Sequence, residues 1–279
     1  MKTMKIMKRL MGCAAAILAL TACSESEDLL AAYHSDSKAV HITAQVGKAS
    51  ADGFTRSNPL GTPEEQAKFN ENDEISVQAD GQDAVTYKLV GSEWQPQDGK
   101  FLKWEKETMN FTAYYPASFD GNITQPTEYT SPESLAAADF MSFTGNVTNS
   151  GNNSLTLTME RKMARVVVEI AAFNDQYTKN ATVKSVTING NIKAYKHETD
   201  GKFYALINPN SIPGATAPFL TLEVEDGTSK TTETLTTIPT TFVAGKSYTY
   251  KLKVGKNKVK VNGVTVADWT EGKIIPDDD

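Results

Sequence analysis

The sequence has very little cysteine and histidine, and both shortages limit what the protein can do. Among 279 residues there are two cysteines, Cys13 and Cys23, and three histidines, His34, His41 and His197. The histidines lie far apart, outside any serine–histidine–acid or metal-ligand spacing. Two cysteines near the start of the chain provide no disulfide framework for the rest of it. We therefore expect no enzyme activity, no metal site, and a fold that is stabilised by its hydrophobic core.

Long apolar runs are missing as well. The longest, Leu10 to Leu20, is too short to cross a bilayer as a helix, which takes about 20 apolar residues. Four basic residues precede this run and small residues follow it, which is the layout of an export signal. We predict that residues 1–22 are a signal peptide.

Basic charge is scarce in what remains. The formal net charge of the whole sequence is −6, and removal of the four basic residues of the leader brings it to about −10. Nucleic acid binding requires a basic surface that neutralises phosphates. We therefore exclude nucleic acid as a partner.

The signal ends in Leu20-Thr21-Ala22-Cys23, where an ordinary signal peptide needs small residues but no cysteine. This run resembles the lipobox of bacterial lipoproteins, in which the cysteine receives lipid and becomes the first residue of the mature protein. We predict a covalent lipid on Cys23 and no other cofactor. Two or three acyl chains would give a lasting anchor, because each buried methylene adds about 0.8 kcal/mol. An ordinary signal peptide with a chance cysteine is the alternative.

A polar segment follows the lipobox. Its acidic run, Ser24 to Asp28, resembles the signal that sends lipoproteins of Bacteroidetes-type bacteria to the outer face of the outer membrane. Without that signal, the same acids are a solvated linker. We expect residues 23–38 to form an extended stalk that reaches about 50 Å above the membrane, at roughly 3.3 Å per residue.

Strand signals fill the rest of the chain. Thr, Val, Tyr and Phe are abundant, Asn-Gly and Asp-Gly pairs recur, and no long apolar pattern of period 3.6 is visible. About seven strand signals lie on each side of Glu160. We therefore predict an all-β protein of two β-sandwich domains in series, residues 39–160 and 161–279, with about seven strands each.

The first and last strand signals are the clearest. Near the start, four apolar residues alternate with polar ones, which predicts a strand with one buried face: Val40, Ile42, Ala44 and Val46. Near the end, Asn262-Gly263 is the strongest turn signal in the chain. It predicts a closing hairpin between residues 259 and 269.

With these residues in place, the chain resembles the fimbrillin-like family of Bacteroidetes lipoproteins, which form fimbriae. The resemblance extends over nearly the whole mature chain. It is carried by the lipobox and by six further segments: Thr55-Arg56, Phe69 to Ile75, Phe111 to Pro116, Met163 to Val166, Phe242 to Tyr248 and Val266 to Trp269. Two positions depart from the family pattern. Asn72 stands where glycine is common and Arg161 where histidine is common, and we expect both to be tolerated, at a turn and at a strand edge.

The resemblance implies a fold, a role and a way of assembly. The fold is two tandem transthyretin-like, Greek-key sandwiches, and the role is that of a structural subunit of adhesive fimbriae on the cell surface. In the family, a protease cuts in the loop after the first strand, which corresponds here to Arg56 and Ser57. The lipid and the first strand leave together, so the outer-membrane anchor lasts only until the cut.

The same resemblance implies that a neighbouring subunit fills the vacated groove by β-augmentation and forms a head-to-tail polymer. The groove is the one that holds the four alternating apolar residues. The candidate donor residues are Val259, Val261, Val264, Val266 and Trp269.

Simpler interpretations stay open. The alternative interpretation of Arg56 is a solvated loop arginine, and that of the last hairpin is an ordinary part of its own domain. The second functional hypothesis is a surface lipoprotein that binds glycans without polymerising, on an aromatic platform of Trp94, Trp104, Tyr114 and Tyr115. The same aromatics suit a sandwich core. Either hypothesis allows a ligand on a host or bacterial surface.

Overall fold

The computed structural model describes residues 18–47, 60, 69–211, 218–236, 242–256 and 258–268. Within these ranges the chain forms sixteen β-strands, two α-helices and one short 3-10 helix. The all-β prediction is confirmed. The described part of the chain includes no helix that is long and apolar enough to span a membrane.

The first seven strands make one sheet, in the order β1-β7-β6-β5-β2-β3-β4. Strands β6 and β7 share only two residue pairs, so the sheet bends there and both parts face one core. The strand bounds are β1 His41–Val46, β2 Glu74–Ala79, β3 Val85–Val90, β4 Glu93–Pro96, β5 Thr108–Tyr115, β6 Met141–Thr148 and β7 Ser154–Arg161.

The other nine strands make two sheets that enclose a second core. The four-stranded sheet has the order β10-β9-β13-β14 and the five-stranded sheet the order β11-β12-β8-β15-β16. The bounds are β8 Ala164–Phe173, β9 Thr182–Ile188, β10 Ile192–Lys193, β11 Tyr195–Lys196, β12 Phe203–Ile207, β13 Leu220–Asp226, β14 Ser229–Leu235, β15 Lys246–Gly255 and β16 Lys258–Asp268. The 3-10 helix is Pro209–Ser211.

The two cores meet at the connection from β7 to β8. The first core draws its strand residues from as far along the chain as Met159, and the second takes its strand residues from Ala164 onward. One segment lies between strands of the first sheet in sequence but packs in the second core. Helix α2, Pro132–Ala136, is preceded by the cap Ser131 and buries Leu135 in the second core, although its neighbours β5 and β6 belong to the first sheet.

The segment before β1 differs from the expected extended stalk. Residues Leu18–Ser35 form helix α1. The end of this helix lies against the first core, where Tyr33 is 1% exposed and Leu30 is partly buried. Residues three apart share a helix face, so these two side chains reach the core together. The stalk prediction is wrong in conformation because the apolar run from Leu29 to Tyr33 covers little more than one helical turn, which is too short to show a helical period.

The two departures from the family pattern have different environments. Asn72 has a φ of 71°, in the left-handed region that glycine prefers and asparagine tolerates, so it lies at a turn as expected. Arg161 is not at an open strand edge. Its Nε donates to both carboxylate oxygens of Asp139, at 2.9 and 3.0 Å, and both side chains are buried.

Candidate functional site

The site that carries functional interest is the groove occupied by β1. This strand runs parallel to β7, and six residue pairs, from His41–Ser154 to Val46–Met159, follow one another without a register shift. Because side chains alternate along a strand, every second residue of this segment faces the same way. The inward residues are buried, with exposures of 0, 7, 8 and 4% for Val40, Ile42, Ala44 and Val46.

The floor of the groove is apolar. Strand β7 contributes Leu155, Leu157 and Met159, none of which is exposed to solvent. Burial of a large aliphatic side chain contributes roughly 1.5 to 3 kcal/mol. The inward face of β1 thus holds the strand with roughly 5 to 10 kcal/mol before the entropy of ordering it is subtracted.

Backbone hydrogen bonds fix both ends of β1. At its start, the amide of Val40 donates to the carbonyl of Leu102 at 2.9 Å, and the amide of Trp104 donates to the carbonyl of Lys38 at 2.8 Å. At its end, the amide of Gly47 donates to the carbonyl of Met159 at 2.8 Å. The beginning of the strand is therefore enclosed on both sides, by β7 and by the segment around residue 102.

The end of α1 makes a second set of contacts with the same region, here named the α1 clasp and formed by Tyr33, His34 and Asp36. The hydroxyl of Tyr33 donates to the carbonyl of Val40 at 3.1 Å. His34 Nε2 lies 2.6 Å from Glu93 Oε1. The clasp therefore bonds through Tyr33 to the residue directly before β1, and through His34 to the neighbouring β4.

Asp36 closes the clasp through Lys103, whose Nζ lies 2.6 Å from Asp36 Oδ2. This hydrogen bond is the main reason that the pKa of Asp36 lies below its ordinary value of 3.8, and a second one, from the amide of Lys38, adds to the effect. Burial raises the pKa of the Tyr33 hydroxyl, with a smaller contribution from the charge on Glu93. Sequence reasoning missed the clasp, and the short apolar run from Leu29 to Tyr33 in an otherwise polar segment was its local signal.

The predicted processing site lies outside the described residues. The chain leaves β1 at Gly47, and Arg56 and Ser57 belong to the part that the structure does not describe. Cys23 lies within α1, ten residues before Tyr33. The structure therefore brings the predicted lipid position and β1 into one continuous N-terminal piece.

The candidate donor is a single strand rather than the predicted hairpin. Strand β16 pairs antiparallel with β15 at the edge of its sheet, and the chain turns back between Gly255 and Lys258. The register shifts so that Gly263 pairs with Lys251 and Val261 with Leu252, which leaves Asn262 as a β-bulge. The turn predicted at Asn262-Gly263 is wrong, because a turn there would break the long ladder of backbone pairs with β15.

The bulge decides which way the valines of β16 face. Each of the four lies opposite a residue of β15 that faces the second core, in the pairs Val259–Val254, Val261–Leu252, Val264–Tyr250 and Val266–Tyr248. Val259 is buried, Val264 and Val266 are partly buried, and Val261 is 37% exposed. Trp269 lies outside the described residues. In this state the candidate donor packs on its own subunit.

The aromatic residues of the glycan hypothesis do not form an exposed platform. Trp94, Trp104 and Tyr115 are at most 5% exposed and belong to the first core. Tyr114 is half-buried beside Phe119. Among the described residues, no group of three or more histidine, cysteine or acidic side chains could hold a metal ion.

Comparison with known protein families identifies the architecture. A family model described as fimbrillin-like matches residues 55–269. The chain belongs to the fimbrillin-like family. The match spans both cores and reaches past the end of β16. Family membership supports a structural role in fimbriae at the cell surface, beside other fimbrial subunits, rather than a catalytic one.

Two solved structures share this fimbrillin-like fold. A candidate cell adhesion protein from Bacteroides uniformis is 17% identical, with a TM-score of 0.58, over 84% of this chain and all of that one. A candidate cell adhesion protein from Bacteroides ovatus is 15% identical, with a TM-score of 0.56, over 87% of this chain and all of that one. No curated protein sequence matches the chain.

Proposed function

We propose that this fimbrillin-like chain is exported as a lipoprotein through Cys23 and is built into adhesive fimbriae by strand exchange. A cut between Arg56 and Ser57 releases the lipid, α1 and β1 as one piece. The observation that carries the proposal is the construction of the β1 groove. After that cut, β1 is held without a covalent link, by burial, the β7 ladder, the backbone hydrogen bonds with Leu102 and Trp104, and the α1 clasp.

Loss of β1 would leave a receptive surface. Leu155, Leu157 and Met159 would be exposed to water, and the backbone of β7 would lose its parallel partner. Unpaired strand edges bind extended segments of other chains, and an apolar floor adds affinity for alternate side chains. A segment of a second subunit is therefore the natural occupant.

The positions of groove and donor favour a filament. The groove belongs to the first core and β16 to the edge of the second. A joint between different surfaces of identical subunits is heterologous and continues from one subunit to the next. The polymer would display many copies toward ligands on host or bacterial surfaces, which is the adhesive role that we propose.

The mature N-terminus, mapped by intact mass and N-terminal peptides on fimbriae from native cells, tests the proposal. We expect Ser57 without lipid in the polymer and acylated Cys23 in the unassembled precursor. Arg56→Ala is expected to abolish both the cut and the polymer, whereas the control Lys48→Ala, eight residues earlier in the sequence, leaves both intact. Polymers whose subunits retain β1 would refute strand exchange.

A further inference from the structure

We infer that the β1 groove accepts β16 of a second copy in one phase only, that is, with one fixed set of alternate side chains facing the core. In this phase the bulge at Asn262 is straightened, and the inward residues are Val259, Val261, Gly263 and Thr265. This inference rests on the proposed function, because it takes the β1 groove as the acceptor. It adds the register of the joint and the residues that determine it.

The groove requires a regular strand. Its resident β1 places inward residues at intervals of two, and its six pairs with β7 show no register shift. Side chains alternate strictly along a regular strand, so one extra residue sends all later side chains to the opposite face. A donor that kept a bulge in the middle would match only half of the groove.

Strand β16 does not have this regular pattern. Its valines follow one another at intervals of two, three and two, and the bulge at Asn262 brings all four onto the same face beside β15. Without the bulge, Val259 and Val261 fall on one face and Val264 and Val266 on the other. A regular strand that enters the groove must therefore turn one pair of valines inward and the other pair outward.

The composition of the two faces of a straightened β16 determines which pair of valines can face into the groove. On the face of Val264 and Val266, every set of four alternate residues that contains both valines also buries a charged residue, either Lys260 or Asp268. Burial of such groups without partners is costly. The other face offers Val259, Val261, Gly263 and Thr265, without any charge or amide.

The selected face also matches the groove in size. A donor parallel to β7 places Val259 at the position of Val40 and Val261 at that of Ile42. Gly263 then occupies the place of Ala44, the smallest inward residue of β1, and Thr265 the place of Val46 at the end of the strand. The fit is poorer than that of β1, since Gly263 and Thr265 bury less apolar surface. A donor therefore enters only after β1 has been removed and does not displace it.

Peptide binding to the processed protein tests the phase. The full chain is cut at Arg56 with an arginine-specific protease, since Arg161 and Arg165 lie within β7 and β8, and the N-terminal fragment is washed out in mild denaturant. Labelled peptides are then titrated by fluorescence anisotropy. The β1 peptide, residues 39–47, serves as the reference, and the donor peptide covers residues 258–268.

Two matched substitutions in the donor peptide separate the phases. Thr265→Val is expected to tighten binding roughly tenfold, because it replaces an inward hydroxyl by a methyl group. Val264→Thr makes the reverse exchange one residue away and is expected to change affinity less than about twofold, because this side chain faces outward.

The outcomes are distinct. If Val264→Thr weakens binding and Thr265→Val does not strengthen it, the opposite face enters the groove and the inference is wrong. Equal responses to both substitutions would show that no fixed phase exists, which also overturns it. If the β1 peptide itself fails to bind, the groove is not an acceptor, and the proposed function fails before the phase is considered.

Discussion

Strands β1 and β16 are the first and last strands of the described chain, and the structure holds them in different ways. Both alternate apolar and polar residues over part of their length, and both lie at the end of a sheet order. Strand β1 is regular, pairs in parallel and buries all its inward side chains. Strand β16 pairs antiparallel, contains a bulge and leaves Val261 exposed.

This difference shows that length of pairing and depth of burial are separate properties. Strand β16 has ten residue pairs with β15, and β1 has six with β7. The shorter strand is nonetheless the better buried. A strand can thus form a long hydrogen-bonded ladder at a sheet edge and still be partly exposed, while a short strand can close a core.

The largest expected effect concerns β7, the strand that holds β1. Asp139→Ala removes the buried carboxylate that accepts two hydrogen bonds from Nε of Arg161, the last residue of β7. We expect a loss of about 3 to 5 kcal/mol in the free energy of unfolding, measured by urea denaturation. The control Lys162→Ala, next to Arg161 but partly exposed, is expected to cost less than about 1 kcal/mol. Similar losses in both variants would contradict the role assigned to the buried pair.

A matched pair of truncations compares the two strands directly. Ile42→Ala opens a cavity in the first core and is expected to cost about 2 to 4 kcal/mol. Val261→Ala removes side-chain atoms that are already partly in water, so about 0.5 kcal/mol is expected. Denaturant unfolding measures both values. A larger cost for Val261→Ala would reverse the comparison between the strands.

A smaller effect is expected from the clasp. Tyr33→Phe keeps the ring and removes the hydroxyl that donates to the carbonyl of Val40, at a cost of roughly 1 kcal/mol. Amide hydrogen exchange is expected to rise in residues 38–42 and to stay constant in β16. Tyr114→Phe, on a half-buried ring of β5, is the control. Unchanged exchange around Val40 would show that the clasp does not hold β1.

The smallest effect is a dependence on pH. The pKa of Asp36 is lower in the folded protein than its ordinary value of 3.8, so the charged form favours the clasp above that value. As pH falls through the folded pKa, the carboxylate is protonated and this contribution is lost. We expect amide exchange in α1 to increase below about pH 3.8, and Asp36→Asn to remove this local increase. An identical acid response in the variant would exclude Asp36 as its cause.

The sequence pattern predicted β1 well because the residues that determine this strand lie within the strand segment itself. The alternation of Val40, Ile42, Ala44 and Val46 specifies a buried face without reference to distant residues. The same holds for the all-β class, which follows from many independent strand and turn signals. The conformation of Asn72 also follows from its place in a turn.

The errors arose where a distant partner decides the structure. Asn262-Gly263 favours a turn locally, but the ladder with β15 makes it a bulge. The burial of Arg161 depends on Asp139, 22 residues earlier in the chain. The clasp depends on Lys103, 67 residues after Asp36. None of these pairings leaves a periodic trace in the sequence.

The helical form of α1 also limits the distance between the globular body of an uncut subunit and a lipid on Cys23. From Cys23 to Tyr33, ten residues at 1.5 Å per residue span about 15 Å, less than half of the roughly 33 Å that the same residues would span when extended. A lipid on Cys23 would then keep the globular body within a thin layer beside the bilayer. Neighbouring precursors would meet by lateral diffusion in two dimensions, so their encounter rate would depend on surface density rather than on bulk concentration.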